Sequence, residues 1–544
     1  MYKVATSAVL PCGTGGLDGN QNTYQVSINN LVLANNIRFD NKSIRKSPGA
    51  LSLDGPVDSA LTCFGGISWW PNIVDQRQVT AWSDGTIYKE TSGNINSVLL
   101  KSGLSVSKPF VFVPAGYSSG GSADARQLLI FSKDVKPQYL SGDGTALTDF
   151  TALSPDWVAG NYPGGAVYHD FRVWAFNLTT NPHLLYGSSA DDHIDFATSG
   201  AGKAFALPIM PGFKGGGKGI LACQSYLNQY LYIFKAPRGI FYIDTTADPA
   251  TDFGTDFIPI YTVTEAVGVA GPRAVTKINQ DMWFISSQGR IYSAVTLRPD
   301  IDPKLADITN QLNLTSFIKD NVDLSRIEWA ILEYDKLRHE LRSMYTSIGS
   351  NTVNNAAIIF TFSDQNTIKV STDNRASFYN AAWSRINTLG EQELLVAGSG
   401  GKVYICNHEN RSIDGEPFIG EYSHPATDFS YLDPQLSQIE KRFDFLEFMI
   451  LPTGNYDMSI DVTVDGVFRQ TLSVNLGSDA ASVFDEAIFD SSTFAGRNFL
   501  PHRVEINAVG TQISFRCYNA VTNEDFAIAN MRVIFQPLGA KFEE

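Results

Sequence analysis

The segment Met282-Trp-Phe-Ile-Ser-Ser-Gln-Gly-Arg-Ile-Tyr292 decides the fold class, because the chain contains a near copy of it. Val79-Thr-Ala-Trp-Ser-Asp-Gly-Thr-Ile-Tyr88 has the same order of parts: an apolar and aromatic strand, a glycine turn, and a second strand that carries Ile-Tyr. Short apolar runs separated by a glycine-containing turn are typical of β-hairpins. The sequence therefore predicts a fold built from repeated hairpins.

Related hairpins continue on both sides of this segment, and each carries a tyrosine on its second strand. The spacing between successive tyrosines is about 50 residues, the length of a propeller blade with four short strands. We therefore predict an all-β fold in which residues 56–420 form a β-propeller of six to eight blades. The tyrosines of the repeat are Tyr88, Tyr139, Tyr186, Tyr242, Tyr292, Tyr345 and Tyr404.

The two flanking segments have a different texture. Residues 1–55 begin with a glycine-rich stretch, and they are predicted to form an extended N-terminal arm that packs on a platform domain or on a neighbouring subunit. The apolar side chains of this arm are the candidate assembly interface: Leu31, Leu33, Ile37 and Phe39. Residues 421–544 alternate apolar and polar side chains with period two, which predicts a C-terminal antiparallel β-sandwich that serves as the platform. Residues 477–500 are expected to form a loop in it.

Two stretches within the repeat region need separate interpretation. Residues 303–320 place Ile308, Leu312, Phe317 and Ile318 on about one face of a helix, so a helix is expected there. Residues 323–345 are compatible with a helix or with a hairpin that turns at 335–338. The hairpin agrees better with the repeat.

Composition limits the classes of function. The chain has 544 residues, and 43% hydrophobic with 18% charged residues is typical of a globular protein of two or three folded units. Its net charge of −15 argues against nucleic acid as an attractive ligand, although an acidic wall would let a passing duplex slide. The five cysteines are scattered, as expected for reduced thiols of a protein assembled in a cytosol. No apolar run has the length of a membrane span.

Three motifs approach known chemistry, and each departs from it at an essential position. Residues 212–219 resemble a phosphate-binding loop, but Gly219 stands where a magnesium-binding Ser or Thr is needed. The segment from Ser371 to Asp373 resembles a sialidase Asp-box, but Arg375 replaces its glycine and Trp383 is too distant. Asp191, Asp192, His193 and Asp195 could bind a cation, although a solvated turn explains them better. We expect no catalytic, cofactor or metal site, and thus no enzyme.

Three segments of the chain, taken together, form a recognisable pattern. The first is Asn30–Asp40 followed by Ile44-Arg-Lys-Ser-Pro-Gly49. The second runs from the hairpin 231–242 through Gly268–Val275 to Met282–Tyr292. The third is Lys441-Arg-Phe443 with the Val-Asp-Gly hairpin and the ending Arg532–Gly539. These segments resemble the tail nozzle or hub family of podophages, the short-tailed bacteriophages, although Ala274 stands where that family usually has serine.

This resemblance implies a structural virion protein. The chain would form a homo-oligomer, expected to be a hexamer, below the portal and tail adaptor, and it would carry tail fibres or spikes. Duplex DNA would pass through its lumen during ejection without specific binding. The protein would be made in the bacterial host cytoplasm and would reside in the virion tail. Two other classes stay open: a propeller glycoside hydrolase that acts on host polysaccharide, and a receptor-binding or scaffold propeller.

Overall fold

The computed structural model shows an almost entirely β protein, with 55% of residues in strands and 5% in helices. The expected all-β class is confirmed. The structure describes residues 6–11, 15–20, 25–40, 43–53, 57–91, 94–104, 106–117, 126–190, 192–198, 202–209, 219–246, 259–294, 306–349, 352–363, 367–375, 378–451, 453–477 and 500–539.

The chain divides into two compact units that interleave along the sequence. The first unit comprises residues 1–51, 358–374 and 407–544, and the second comprises residues 52–357 and 375–406. The segment predicted as an N-terminal arm therefore belongs to the same unit as the C-terminal region. Its strands are β1 (Thr6–Pro11), β2 (Gly16–Leu17), β3 (Asn30–Leu31), β4 (Leu33–Asn35), β5 (Ile37–Asp40), β6 (Ser43–Lys46) and β7 (Gly49–Ser52).

The second unit begins with four antiparallel sheets of four strands, each formed by strands that follow one another in the chain. Sheet 1 contains β8 (Cys63–Trp69), β9 (Arg77–Trp82), β10 (Ile87–Thr91) and β11 (Asn94–Lys101). Sheet 2 contains β12 (Val111–Tyr117), β13 (Arg126–Ser132), β14 (Val135–Ser141) and β15 (Thr148–Asp149). Sheet 3 contains β16 (Gly165–His169), β17 (Arg172–Phe176), β18 (Leu184–Gly187) and β19 (Phe205–Pro208). Sheet 4 contains β20 (Gly219–Tyr226), β21 (Tyr230–Ala236), β22 (Ile240–Asp244) and β23 (Ile260–Thr264).

Three further sheets of this unit follow. Sheet 5 contains β24 (Val275–Ile278), β25 (Asp281–Ile285) and β26 (Ile291–Ser293). Sheet 6 begins with the hairpin of β27 (Ile331–Asp335) and β28 (Glu340–Tyr345), after which β29 (Ala356–Phe362) and β30 (Ile368–Asn374) lead into the first unit. Sheet 7 contains β31 (Ala381–Ile386), β32 (Gln392–Ala397), β33 (Val403–His408) and, as its fourth strand, β7, which ends at Ser52, the first residue of this unit.

The local predictions for residues 303–345 are largely confirmed. Two short helices, α1 (Ile308–Gln311) and α2 (Thr315–Asn321), lie where one helix was expected, and a 3-10 helix spans Leu324–Trp329. The chain then forms the predicted hairpin, since β27 and β28 pair from Ile331↔Met344 to Asp335↔Glu340. Among the described helices, none combines the length and hydrophobicity that crossing a bilayer requires.

The tyrosine repeat marks equivalent positions in successive sheets. Each of the seven tyrosines lies in a different sheet of the second unit, and in all but sheet 6 it lies on the third strand. The sheets also contact one another in chain order through their first strands: β8 with β12, β12 with β16, β16 with β20, β20 with β24, β24 with β27, and β27 with β31. Finally, β31 contacts β8.

Buried apolar clusters fill the spaces between neighbouring sheets. Sheets 1 and 2, sheets 2 and 3, and sheets 3 and 4 each share such a cluster, which includes Trp69, Trp157 and Trp174 in turn. A further cluster joins the last sheet to the first, with Trp82 and Cys63 from sheet 1 and Trp383 and Leu395 from sheet 7. Sheets 1, 2 and 3 therefore each share buried clusters with two other sheets of this unit.

Besides the two-stranded parallel sheet of β2 and β3, the described part of the first unit contains two larger sheets whose facing side chains touch. Its remaining strands are β34 (Gly420–Ser423), β35 (Glu440–Ile450), β36 (Asp457–Val464), β37 (Val467–Asn475), β38 (Leu500–Gly510), β39 (Ile513–Asn519) and β40 (Ala527–Gly539), and a 3-10 helix spans Pro434–Gln438. One sheet has the order β38-β35-β40-β6-β5, with β1 also paired to β40, and the other includes β30-β4-β34-β39-β36-β37. Between them, the Tyr422 hydroxyl lies 3.6 Å from Met531 Sδ. The expected loop at 477–500 falls almost wholly outside the described residues.

Candidate functional site

The four residues of the candidate assembly interface all lie in the first unit, and three of them are buried there. Leu31 and Ile37 have no exposed surface and Phe39 is 8% exposed, whereas Leu33 is half-buried. Phe39 pairs with Ile44 across the β5–β6 hairpin, and the Lys369 ammonium lies 5.7 Å from the centre of its ring. These side chains thus already pack within their own chain. Their role in assembly stays a prediction.

A buried ion pair fixes the N-terminal strands to β30. The Arg38 guanidinium donates to both carboxylate oxygens of Asp373, with Nη1–Oδ1 and Nη2–Oδ2 distances of 3.2 and 3.0 Å. The side chains are 9% and 0% exposed. Ser47 Oγ accepts from Arg38 at 2.8 Å. A two-pronged pair of this kind fixes both position and orientation, so it anchors the β5–β6 hairpin.

The sequence from Ile44 to Gly49, which carries the family resemblance, has a structural role at almost every position. Arg45 Nη2 donates to Asp525 at 2.7 Å. Lys46 is fully buried, and its ammonium donates to Asn519 Oδ1 and to the Val521 carbonyl at 3.0 and 2.8 Å. A side chain at Gly49 would place its Cβ only 2.0 Å from the Ser412 carbonyl oxygen. The motif therefore joins the N-terminal strands to the C-terminal part of the unit.

Burial shifts the pKa of Lys46. It lowers the pKa of Lys46 to about 8, because removal from water disfavours the ammonium, and the nearby Asp525 and Glu524 offset only part of that effect. The Lys46 ammonium is therefore stabilised by its hydrogen bonds to Asn519 and Val521 rather than by bulk water.

In the second unit, the candidate site lies where segments next to the first strands meet around Trp329. Arg273 Nη1 donates to the Asn380 carbonyl at 2.8 Å, Nη2 donates to the Trp329 carbonyl at 3.3 Å, and the guanidinium carbon lies 5.9 Å from the Trp329 ring centre. Burial lowers the pKa of Arg273 to about 10. Asn380 in turn donates to the Cys63 carbonyl. One arginine thus connects sheets 5, 6, 7 and 1.

A cavity of about 310 Å³ lies beside this cluster. The ion pair between Lys108 Nζ and Glu328 Oε1, at 2.8 Å, spans part of its wall, and Lys133 Nζ donates to Asn177 at 3.2 Å. Its lining comes from sheets 2 to 5 and from the 3-10 helix before β27: Lys108, Pro109, Lys133, Gly164, Asn177, Leu178, Thr179, Pro182, Leu221, Pro272 and Glu328. Both lysines are engaged by side chains of the wall.

Glu333 has an ionisation that its sequence context does not reveal. This residue lies on β27, the first strand of sheet 6, and burial raises its pKa to about 7. Ser384 Oγ, on the first strand of sheet 7, is 3.4 Å from its carboxylate. A carboxyl that titrates near neutrality can act as a general acid or base. A single Glu among apolar residues carries no such signal in the sequence.

The motifs singled out from the sequence have other roles where the structure describes them. Asp373 of the Asp-box-like segment holds Arg38, and Trp383 Nε1 donates to Gln78. Asp192 and Asp195 accept hydrogen bonds from backbone amides of residues 194, 197 and 198, as turn residues do. Asp191 and nearly all of the phosphate-loop-like segment 212–219 lie outside the described residues. Within the described part of the chain, no group of His, Cys, Asp and Glu has the arrangement of a metal site.

We expect acid to destabilise both units, because each buries a neutral histidine. Burial lowers the pKa of His424 from 6.5 to about 4, and neither ring nitrogen has a hydrogen-bond partner. The pKa of His169, which is bonded to Ser225 and Thr245, is likewise lowered to about 4. The free energy of unfolding is unaffected by these histidines above pH 6.5, where both are neutral in the folded and unfolded states. It decreases as the pH falls towards 4, by on the order of 3 kcal/mol for His424.

Thermal unfolding followed from pH 7 to pH 4 measures this loss. The variant His424→Phe keeps a ring of similar size but cannot be protonated, so its midpoint should fall less than that of the wild type over the same interval. Equal losses in the two proteins would show that His424 does not set the acid response of its unit.

No protein-family model matches the chain, and no curated protein matches it significantly.

Proposed function

We propose that the second unit is a seven-bladed β-propeller and that the first unit is a β-sandwich platform. The support for a ring is the order of contacts: each first strand touches the next, β31 touches β8, and a buried cluster around Trp82 and Trp383 joins sheet 7 to sheet 1. Four-stranded meanders that repeat about every 50 residues are the blades of such a ring. The support for the platform is the pair of packed sheets around Tyr422.

We propose further that the protein is a structural component of a short phage tail, a nozzle or hub subunit. The observation that carries this proposal is the motif Ile44–Gly49, because the segment that resembles the podophage family is also the segment that joins the two ends of the chain through Arg45 and Lys46. Such a motif would be retained because the platform depends on it. A chain that supplies both a propeller and a β-sandwich is suited to building a tube wall.

In this proposal the chain assembles as a homohexamer on a tail adaptor below the portal, and it carries fibres or spikes. Duplex DNA passes through the lumen of the assembled ring. The net charge of −15 per chain disfavours retention of the duplex, and with a screening length of about 8 Å only side chains close to the DNA matter. The lumen is therefore expected to be neutral or acidic.

Electron microscopy of virions decorated with an antibody against this chain tests the proposal. We expect label at the tail, six-fold symmetry in averaged end views of isolated tails, and no retardation of duplex DNA by the free protein at moderate salt. Label on the capsid alone, or tight salt-dependent DNA binding, would overturn the proposal.

One observation favours the hydrolase as a second candidate, namely the pKa of about 7 at Glu333. Glycoside hydrolysis uses two carboxyl groups that flank the scissile bond, whereas Asp335, the acid whose charge also raises the Glu333 pKa, accepts hydrogen bonds from the backbone amides of Leu337 and Arg338. Cleavage of host polysaccharide that is lost in Glu333→Gln would favour the enzyme over the structural protein.

A further inference from the structure

The first hairpin turn of most sheets in the second unit presents a large apolar side chain to solvent. Of the six sheets in which this turn is described, five carry one, and sheet 5 with Asn279 and Gln280 is the exception. The turn of sheet 2 lies outside the described residues. The side chains and their exposed fractions are Ile73 80% and Val74 77% in sheet 1, Phe171 71% in sheet 3, Leu227 61% in sheet 4, Leu337 52% in sheet 6 and Leu389 81% in sheet 7.

The second turns, at the opposite ends of the strands, provide an internal comparison. In sheets 1, 2, 3, 4, 5 and 7 these turns have no exposed large apolar side chain among their described residues, and they are rich in Gly, Asp, Asn and Ser. Only the longer connection after β28 carries one, Ile348. Isolated exposed apolar residues are normal on any protein surface. The concentration of exposed apolar side chains in the first turns is unusual and requires an explanation.

In two of these turns, a bulky side chain also lies at a residue whose backbone has a positive φ. Asp170 and Phe171 have φ of 47° and 57°, and Leu227 and Asn228 have φ of 51° and 54°. Hairpin turns with two successive residues at positive φ favour Asn, Asp and Gly, whereas a bulky side chain at positive φ is strained. Phe171 and Leu227 are therefore unfavourable both for the turn and for solvation, a combination typical of functional positions.

The other three apolar turns are held rigid in a common way. In each, an Asn or Asp side chain accepts a hydrogen bond from the backbone amide two residues later, and that amide belongs to an exposed apolar residue. The pairs are Asn72 with Val74 at 2.8 Å, Asp335 with Leu337 at 3.1 Å and Asn387 with Leu389 at 2.9 Å. The apolar side chains are thus held at the tips of ordered turns.

We propose that these tips form a lipid-binding surface, in which each apolar side chain enters the interface of a bilayer. This inference rests on the proposed propeller, which places the first turns of all blades on one end of the ring. Each apolar tip is flanked within two or three residues by polar or charged groups, such as Asn72 and Asp75, or Lys336 and Arg338. Apolar tips with polar flanks match the boundary between acyl chains and headgroups.

The distribution of the tips favours a bilayer over a protein partner. A protein interface has a contiguous apolar core inside a polar rim, whereas these tips belong to separate sheets. A fluid bilayer accepts each tip independently. The residues around the tips include both signs of charge, such as Asp75, Asp170, Lys336 and Arg338, so attraction to anionic lipid is not required.

Flotation with phosphatidylcholine vesicles tests the proposal. We expect the full chain to float with the vesicles, and to do so still at about 1 M salt, where the screening length is about 3 Å and electrostatic attraction is negligible. The double variant Phe171→Asn with Leu227→Gly removes two apolar tips and supplies residues that the turns prefer. Its partition into vesicles should fall about tenfold or more, because the variant no longer transfers the apolar area of these two side chains from water into the bilayer. Its thermal midpoint should stay equal or rise.

Phe468→Ser, at a 59% exposed position of the first unit, is the matched control and should leave flotation unchanged. If the wild type does not float, or if the double variant floats as well as the wild type, the lipid proposal is wrong. A protein partner would then be the remaining occupant of these tips. The stability of Trp383→Ala tests the ring without lipid, so failure of the lipid surface and failure of the propeller are separate results.

Discussion

Replacing Trp383 by alanine is expected to lower the free energy of unfolding of the second unit by about 3–5 kcal/mol, the usual cost of removing a buried Trp. Trp383 is 5% exposed and lies in the cluster shared by sheets 7 and 1. Its Nε1 donates to Gln78 Oε1 of β9 at 2.9 Å, so the substitution also removes one of the two hydrogen bonds that this oxygen accepts, the other coming from Ser68. The effect is large because the contact joins the end of the repeat to its beginning.

A second substitution shows whether the contact is direct. An added Cβ at Gly66 would lie 2.3 Å from the Trp383 ring, so Gly66→Ala should destabilise the wild type but cost much less in Trp383→Ala. Leu389→Ser in the same sheet, at an 81% exposed position, should change stability little. Additive effects of Gly66→Ala and Trp383→Ala in chemical denaturation would contradict the packing of sheet 7 on sheet 1.

Arg38→Ala is expected to destabilise the first unit by about 3–5 kcal/mol, because it removes the guanidinium that donates to both oxygens of the buried Asp373 carboxylate. Asp373 has no exposed side-chain area, and its oxygens accept from Arg38 and Ser47. Asp373→Ala should have an effect of similar size for the same reason. Urea denaturation of the full chain, followed by a probe in the first unit, measures both.

The pair Arg442–Asp444 on β35 is the matched control, since the Arg442 side chain is 49% exposed. Arg442→Ala should cost less than about 1 kcal/mol. In the double variant Arg38→Met with Asp373→Leu, both charges are removed, so part of the lost stability should return. A cost for Arg38→Ala no larger than that for Arg442→Ala would show that the pair does not anchor the N-terminal strands.

Local patterns in the sequence were sufficient for the repeated hairpins. The apolar strands around Trp82 and Trp283, the glycine turns after them and the tyrosines that follow are determined by interactions between near neighbours, and the structure places these tyrosines in successive sheets. The hairpin of β27 and β28 follows from the same chemistry. The helix expected at 303–320 forms as two short helices. The first ends at its C-cap residue Leu312, and Asn313 then adopts a φ of 57°, which is outside the helical range.

The candidate sites depended on contacts that no local pattern encodes. Arg38 and Asp373 are 335 residues apart, and a charged residue next to Ile37 is expected at the surface until a distant carboxylate is placed beside it. The same holds for Lys46, Arg273 and Glu333, whose ionisation is set by burial. Leu31, Ile37 and Phe39 have an apolar pattern that predicts a packing face, but that pattern does not say what covers them.

By itself, the sequence determined the all-β class, the hairpin repeat and the alternating strands of the C-terminal region, because turn chemistry and side-chain periodicity act over a few residues. Only the tertiary structure decided that the N-terminal strands join the C-terminal sheets through Arg38 and Lys46, and that apolar side chains such as Phe171 and Leu389 remain exposed at the first turns. Burial and exposure are properties of the whole packed chain, because the atoms that cover a side chain can come from segments hundreds of residues away.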